Sequence, residues 1–235
     1  MKETKYKKAL GTLDEDKSYS TEEALELILK QPKRKFQETV DISVWLGIDP
    51  KKSEQNIRGS LTLPNSLGKE VKVAAFVDSD KADEAKKGGA DFIGLDDLIE
   101  KYKDGNIDFD VAITTPDQMK NVSKLAKILG PKGLMPSPKS GTVTENIDKA
   151  VKEIKHGQVR FKAEQEGIVQ GTIANVSMKK AQLKENFDSF INELKRLKPA
   201  SSKGIYFKSV FLSTTMGPGY RICLLYTSDA ADDRI

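Results

Sequence analysis

Few side chains in this sequence are placed to do covalent chemistry. The 235 residues include one histidine and one cysteine. His156 stands beside Gly157 at the expected end of a helix, where a cation suits the last carbonyl groups. It has no neighbouring Cys or His with which to hold a metal, and no elbow motif from which a triad could be built. Cys223 has only Arg221 near it and reads as an incidental thiol. A single cysteine excludes an intrachain disulfide and a multi-cysteine zinc site, and it fits a reducing compartment. Asp78 and Asp80 follow an apolar run and have a weak likeness to a metal-binding phosphoacceptor site. The plainer reading is acids at a helix start, where the helix dipole favours them. No G-x-G-x-x-G follows the run at 71–77, and no G-x-x-x-x-G-K-[ST] occurs. The glycines that let a backbone approach nucleotide phosphates are therefore missing.

Two other segments have residues suited to a polyanion. Lys33-Arg34-Lys35-Phe36-Gln37-Glu38-Thr39 puts three cations and an aromatic just before an expected strand. The cations can neutralise phosphates, and Phe36 can stack on a base or pack against a ribose. The same residues also read as a basic helix exit with Phe36 plugging the core. Ser213-Thr214-Thr215-Met216-Gly217-Pro218-Gly219 follows another strand. Its small residues let the backbone lie close to a sugar–phosphate surface, and its hydroxyl and N–H groups can bond 2′-hydroxyls and phosphate oxygens. It also reads as a plain hydroxyl-rich turn. The two segments are far apart in the chain, so they form one surface only if the fold closes its ends together.

Elements must hold these residues. Ser20 and Glu23 have capping-box spacing, and Ala24, Leu25, Leu27 and Ile28 follow on one helical face until Pro32. Val40, Ile42, Val44, Leu46 and Ile48 alternate with positions that are mostly polar, apart from Trp45, which predicts a half-buried strand. A basic loop through Lys51, Lys52 and Arg58 leads to a second strand over 60–63. From Gly68 the pattern changes, and 71–77 is almost continuously apolar, as in a strand buried on both faces. A helix over 81–87, a strand over 91–94, a helix over 96–103 stopped by Gly105, and a strand over 109–114 follow. One helix then starts at Pro116 and reaches Leu129. This alternation predicts a small parallel α/β domain. After a turn-rich loop over 130–138 come a helix over 144–155 and strands over 158–161 and 168–176. A long amphipathic helix over 180–197 carries Phe187, Phe190, Ile191 and Leu194 at helical spacing, and a last strand covers 205–213.

The expected fold class is thus a discontinuous outer α+β domain, residues 1–67 and 157–221, with an inserted α/β domain, 68–156, built on a parallel Rossmann-like sheet. Crossings near Gly68 and Gly157 would allow hinge motion. Charged residues make up 31% of the chain, as in a highly charged globular protein, and no apolar run of about 18 residues occurs, so no transmembrane helix is expected. The lysine-rich start has no apolar stretch behind it, unlike a secretory signal. The net charge is +4, and the surplus lies in the two outer segments while the insert is slightly acidic. If the ends fold together, they make the better polyanion surface.

Several stretches resemble the ribosomal L1 family in its bacterial form. They are Lys35-Phe36-Gln37-Glu38-Thr39-Val40, Leu46-Gly47-Ile48-Asp49-Pro50 and Asn56-Ile57-Arg58-Gly59. The most specific runs from Leu129 through Gly130-Pro131-Lys132-Gly133-Leu134-Met135-Pro136 to Val143. Ser209-Val210 and Ser213-Thr214-Thr215-Met216-Gly217-Pro218 complete a resemblance that spans about residues 5–221 in order. It implies a two-domain protein of the cytoplasmic ribosome that binds large-subunit rRNA at the mobile stalk and helps deacylated tRNA leave the exit site. It also implies binding and repression of the protein's own operon mRNA. Carried over by motif, Lys35, Phe36, Glu38 and Thr39 form one half of the RNA surface. Ser209, Thr215, Met216, Gly217 and Pro218 form the other. Gly167, beside Gln165, marks a turn in the neighbouring strand pair. Gln165 and Gln170 stand where the family often has Lys and His, which would weaken phosphate contacts there.

The resemblance implies no cofactor, no metal, no membrane partner and no small-molecule substrate. The stretch 222–235, with its Asp-rich end, departs from the family's short polar tail and reads as a foreign extension. Two other functions would account for part of the sequence. A small-ligand enzyme built on the insert lacks the glycine fingerprint and has only one histidine. A free translational regulator would share the RNA surface but not the ribosome.

Overall fold

The structure, a computed structural model, describes residues 17–32, 34–68, 71–103, 107–202 and 204–223. The lysine-rich start, Lys33, the helix stop expected at Gly105 and the tail beyond Cys223 lie outside the described residues. Among the described residues the elements run in the order α1 (Thr21–Leu29), β1 (Thr39–Leu46), β2 (Arg58–Thr62), β3 (Val73–Phe76), α2 (Ser79–Gly88), β4 (Phe92–Gly94) and α3 (Asp96–Tyr102). Then come β5 (Val111–Thr114), α4 (Met119–Val122), α5 (Ala126–Leu129), α6 (Ile147–Lys155), β6 (Gln158–Lys162), β7 (Ile168–Asn175), α7 (Lys180–Arg196), β8 (Phe207–Thr214) and β9 (Gly219–Ile222). The chain divides into two compact units, 1–57 with 161–235, and 58–160. Strands β2 and β6 pair as a two-stranded ribbon, and both boundaries fall at or within it.

Period-two burial builds the outer unit. β1 buries Val40, Ile42, Val44 and Leu46 and turns Thr39, Asp41, Ser43 and Trp45 the other way. It lies between β7 and β8 in an antiparallel sheet of order β7-β1-β8-β9. Val169, Ile173, Val210, Leu212, Tyr220 and Ile222 complete the inward face. Helices α1 and α7 cover this face. The three- and four-residue spacing of Leu183, Phe187, Phe190, Ile191 and Leu194 gives α7 a continuous apolar stripe. Fully burying one such side chain contributes about 1.5–3 kcal/mol, so this layer dominates the unit's stability. Asn186, buried in the stripe, donates from Nδ2 to the Ile173 carbonyl at 2.7 Å and so ties α7 to β7. The ion pairs Lys180–Glu26 and Lys184–Glu22, both at 2.6 Å, join α1 to α7 on the solvent side. Water screens them, and they add little beside the apolar layer. α1 opens with the expected capping box: the Ser20 N–H donates to Glu23 Oε2, and the Glu23 N–H donates to Ser20 Oγ, each at 3.2 Å.

The inserted unit is built on a parallel sheet of order β4-β3-β5. All four residues of β3 are buried because helices lie on both sheet faces. Val73, Ala75, Val111 and Ile113 pack toward Ala85 of α2 and Ile147, Val151 and Ile154 of α6. Ala74, Phe76 and Ala112 pack toward Leu98, Ile99 and Tyr102 of α3, with Val122, Leu125 and Leu129. The continuous apolar run thus faces two cores at once.

Two expectations are corrected. The helix from Pro116 to Leu129 is not one element: α4 and α5 are separated by a 3-10 turn, Ser123–Leu125. The Ser123 hydroxyl donates back to the Met119 carbonyl at 2.7 Å, a bond that competes with the α-helical ladder. Nor is β8 the last strand. β9 pairs with it antiparallel, Leu212 opposite Tyr220 and Val210 opposite Ile222. Ile222, the first residue of the expected foreign tail, is buried in this strand. Only Tyr220 and Ile222 mark the alternation, too short a signal to read as a strand.

Tyr206, buried beside β8, donates its hydroxyl to the Leu194 carbonyl at 2.9 Å, and burial pushes its pKa up to about 12. The folded state therefore holds this proton more tightly than the unfolded chain, whose tyrosine titrates near the ordinary value of about 10. The contribution is complete below pH ~10 and is lost as pH rises toward ~12. Urea-unfolding midpoints measured between those limits should fall, by up to about 2 kcal/mol in stability, and fall less in Tyr206→Phe.

Candidate nucleic-acid interface

The pairing of β1 with β8 places Val40 opposite Thr214 and Asp41 opposite Ser213. The segments that precede β1 and follow β8 therefore emerge side by side. The Thr215 N–H donates to the Thr39 carbonyl at 3.3 Å, the Thr39 N–H donates to Thr215 Oγ1 at 3.2 Å, and the two hydroxyls lie 3.1 Å apart. Arg34 Nη2 donates to the Met216 carbonyl at 3.2 Å. Glu38 Oε1 accepts the Met216 N–H at 3.0 Å. The two segments singled out in the sequence are thus bonded neighbours.

Their outward surface is mixed. Phe36 and Met216 are each 53% exposed, so neither plugs the core. Lys35 and Thr215 are exposed and Thr39 is half-buried. Glu38 is different: its side chain is buried, and its known partner is the turn itself. Pro218 is buried as well.

Residues 214–217 form a tight turn in which the Gly217 N–H donates to the Thr214 carbonyl at 3.1 Å. The Thr214 hydroxyl donates to Gln31 Oε1 at 3.1 Å, and Gln31 Nε2 donates to the Tyr220 hydroxyl at 3.2 Å. A Cβ at Gly217 would collide with Gln31 Oε1 and Thr214 Oγ1. A larger residue there would have to push the Gln31 and Thr214 side chains out of their mutual hydrogen bond.

The remaining candidates lie elsewhere. Ser209 is opposite Trp45, near the other end of β1, and Ile168 flanks Trp45 on the far side. Gly167 precedes β7; its carbonyl accepts the Leu46 N–H at 3.0 Å, and its φ of +79° lies in the left-handed region. A Cβ there would come within 3.1–3.2 Å of the Leu46 and Ile48 carbonyl oxygens, so glycine is required on both counts. Gln165 is exposed at the tip of this turn. From Thr39 to Leu46 the strand spans on the order of 23 Å, so Gln165, Gly167 and Ser209 do not join the Met216 turn in one pocket. They are linked to it only along the outward face of the sheet.

Of that face, only Gln170, Ser209 and Ser213 carried an expectation from the sequence. The face carries Asp41, Ser43 and Trp45 of β1, Phe211 and Ser213 of β8, Gln170 and Thr172 of β7, and Arg221 of β9. Trp45 is 45% and Phe211 38% exposed. Trp45 signalled this face as the break in β1's polar positions, and Phe211 as an apolar residue in the outward register of β8. Asp41 is engaged by the Thr172 hydroxyl at 2.6 Å and the Thr39 hydroxyl at 3.3 Å.

Nothing of comparable order surrounds the groups considered for enzyme chemistry. Asp78 stands at the N-cap position of α2 without a side-chain capping bond, and it accepts from Gln118 Nε2. His156 is the exposed C-cap of α6. Cys223 is exposed and free. Among the described residues no three His, Cys, Asp or Glu side chains converge as metal ligands.

The model of the ribosomal protein L1p/L10e family matches residues 28–218. The large ribosomal subunit protein uL1 of Cellvibrio japonicus is 50% identical over 92% of this chain and 94% of its own length. The protein of the same name from Bdellovibrio bacteriovorus is 50% identical over 89% of this chain and 90% of its own. That from Maridesulfovibrio salexigens is 49% identical over 93% of each.

Because Glu38 supports the turn from beneath, Glu38→Ala should leave the Met216 N–H without its acceptor and cost about 1–3 kcal/mol in chemical denaturation. Glu38→Gln keeps an oxygen at the same place and should lose less. Equal losses would show that the carboxylate's charge, not its acceptor, holds the turn.

Proposed function

Since the chain belongs to the ribosomal protein L1 family, a family of structural rather than enzymatic ribosomal proteins, we propose that its outer unit binds folded large-subunit rRNA at the mobile stalk. The carrying observation is the bonded pair of segments 34–39 and 214–218, which presents Lys35, Phe36, Thr39, Thr215 and Met216 outward together. Lys35 supplies affinity for phosphate, the hydroxyls suit 2′-OH and phosphate oxygens, and Phe36 and Met216 pack on sugars or bases. Glu38 and Pro218, both buried, act by shaping the turn rather than by touching RNA, while half-exposed Gly217 lets the backbone lie close to it. Ser209, Gln165 and Gly167 form a second contact at the far end of the sheet.

In this reading the outer domain, 1–67 with 157–221, anchors the protein to the stalk. The inserted domain, 68–156, is carried beside the tRNA exit site, where the stalk helps deacylated tRNA depart. A messenger that copies the rRNA motif occupies the same surface, so own-operon repression and ribosome assembly compete for it. The place of action is the cytoplasmic ribosome. A free regulator, by contrast, would not travel with large subunits on sedimentation.

Filter binding should give affinity on the order of nanomolar for a stalk rRNA fragment, falling steeply with salt, and much weaker binding to arbitrary duplex RNA. Equal affinity for both RNAs would overturn the specific reading. Met216→Asp, which sets a charge against the RNA, should cost about 2–4 kcal/mol of binding. Undiminished affinity would show that the 214–218 turn is not the contact.

A further inference from the structure

An open β-sheet face need not carry large aromatics. Polar residues hold the alternation equally well, and most outward positions of this sheet are polar or small. Trp45 and Phe211 depart from that pattern. They lie on neighbouring strands at diagonal positions, Trp45 opposite Ser209 and Phe211 opposite Ser43. Diagonal partners of this kind stand about 7–8 Å apart, close enough to form one surface. Ile168 extends the apolar patch on β7 beside Trp45.

Cations border the patch. The Lys208 ammonium lies 4.5 Å from the Trp45 ring centroid. Arg221 is cross-strand from Phe211 and exposed. The one acid among the described outward residues of these strands is Asp41, whose oxygens are already taken by the Thr172 and Thr39 hydroxyls. The patch therefore offers π-faces flanked by positive charge. A nucleotide supplies the complement, a flat base joined to an anion. A second protein copy would supply the apolar half without the charge.

We propose that Trp45, with Phe211 beside it and Lys208 over its ring, forms a subsite for an unpaired base of the bound RNA. The base stacks on the aromatic pair, and its phosphate draws the Lys208 ammonium. This rests on the RNA reading above but assigns a separate contact, roughly 20 Å along β1 from Thr39 and so beyond the reach of the Met216 turn. It also gives the open sheet face a role: it lies between the Met216 turn and the Gly167 turn, and RNA spanning both must cross it.

Trp45 is the only tryptophan in the chain, so its emission reports on this subsite alone. Titrating the intact protein with the stalk rRNA fragment should quench that emission at the concentrations where filter binding saturates. Trp45→Leu should weaken binding about ten-fold, within the range base–aromatic stacking gives, and Trp45→Phe should recover most of it. Lys208→Ala should weaken binding and flatten its salt dependence. Thermal unfolding of each variant separates lost contact from lost fold, and the Lys208→Ala result stands even if Trp45→Leu folds poorly. Full-affinity binding with unchanged tryptophan emission and no loss in either variant overturns the subsite while the RNA reading stands. Failure of the unaltered protein to bind the fragment overturns both. A protein dimer in sedimentation that Trp45→Leu dissolves would assign the face to a second copy instead.

Discussion

The outer unit depends on the antiparallel register between β1 and β8. One strand comes from the first fifth of the chain and the other from near its end, yet each residue from Val40 to Trp45 has a fixed partner from Thr214 to Ser209. A slip of one position would send Val40, Ile42, Val44 and Leu46 to solvent and bring Asp41 and Trp45 inward. The apolar layer under α1 and α7 thus fixes the register. The register in turn sets Thr39 against Thr215 and brings Glu38 beneath Met216. Candidate binding geometry here is a by-product of core packing several residues away.

The turn at 214–217 shows how such geometry is supported. Its outward atoms belong to Thr215 and Met216, but its shape is held from behind. The Glu38 carboxylate takes one N–H, Gln31 bridges Thr214 and Tyr220, and Gly217 leaves room for Gln31. A surface aimed at RNA needs this rigidity, since each side chain ordered on binding would otherwise cost entropy. The family's motif contains both kinds of residue, the exposed and the supporting, and composition alone does not separate them.

The two units solve burial differently, and their sequences show it. β1 alternates because one face of its sheet is covered and the other is open. β3 does not alternate because helices cover both faces. Both patterns were readable. The broken helix between Met119 and Leu129 was not, because its apolar spacing is helical throughout and only the Ser123 back-bond interrupts it. β9 was missed because four residues give too little period to read.

Local chemistry in the sequence determined most elements: the capping box at Ser20, the period-two run of β1, the doubly buried β3 and the stripe of α7. It also marked Lys35 to Thr39 and Thr214 to Gly217 as residues suited to a polyanion, and it offered no group placed for catalysis. The tertiary structure alone decided which of these residues face outward and which stand behind them. Exposure is set by strand register and by what packs against each face, and both arise from contacts more than a hundred residues apart. For that reason Glu38 could be read as a contact until its carboxylate was seen beneath the turn. For the same reason Trp45 and Phe211 became one patch only once β1 and β8 were paired.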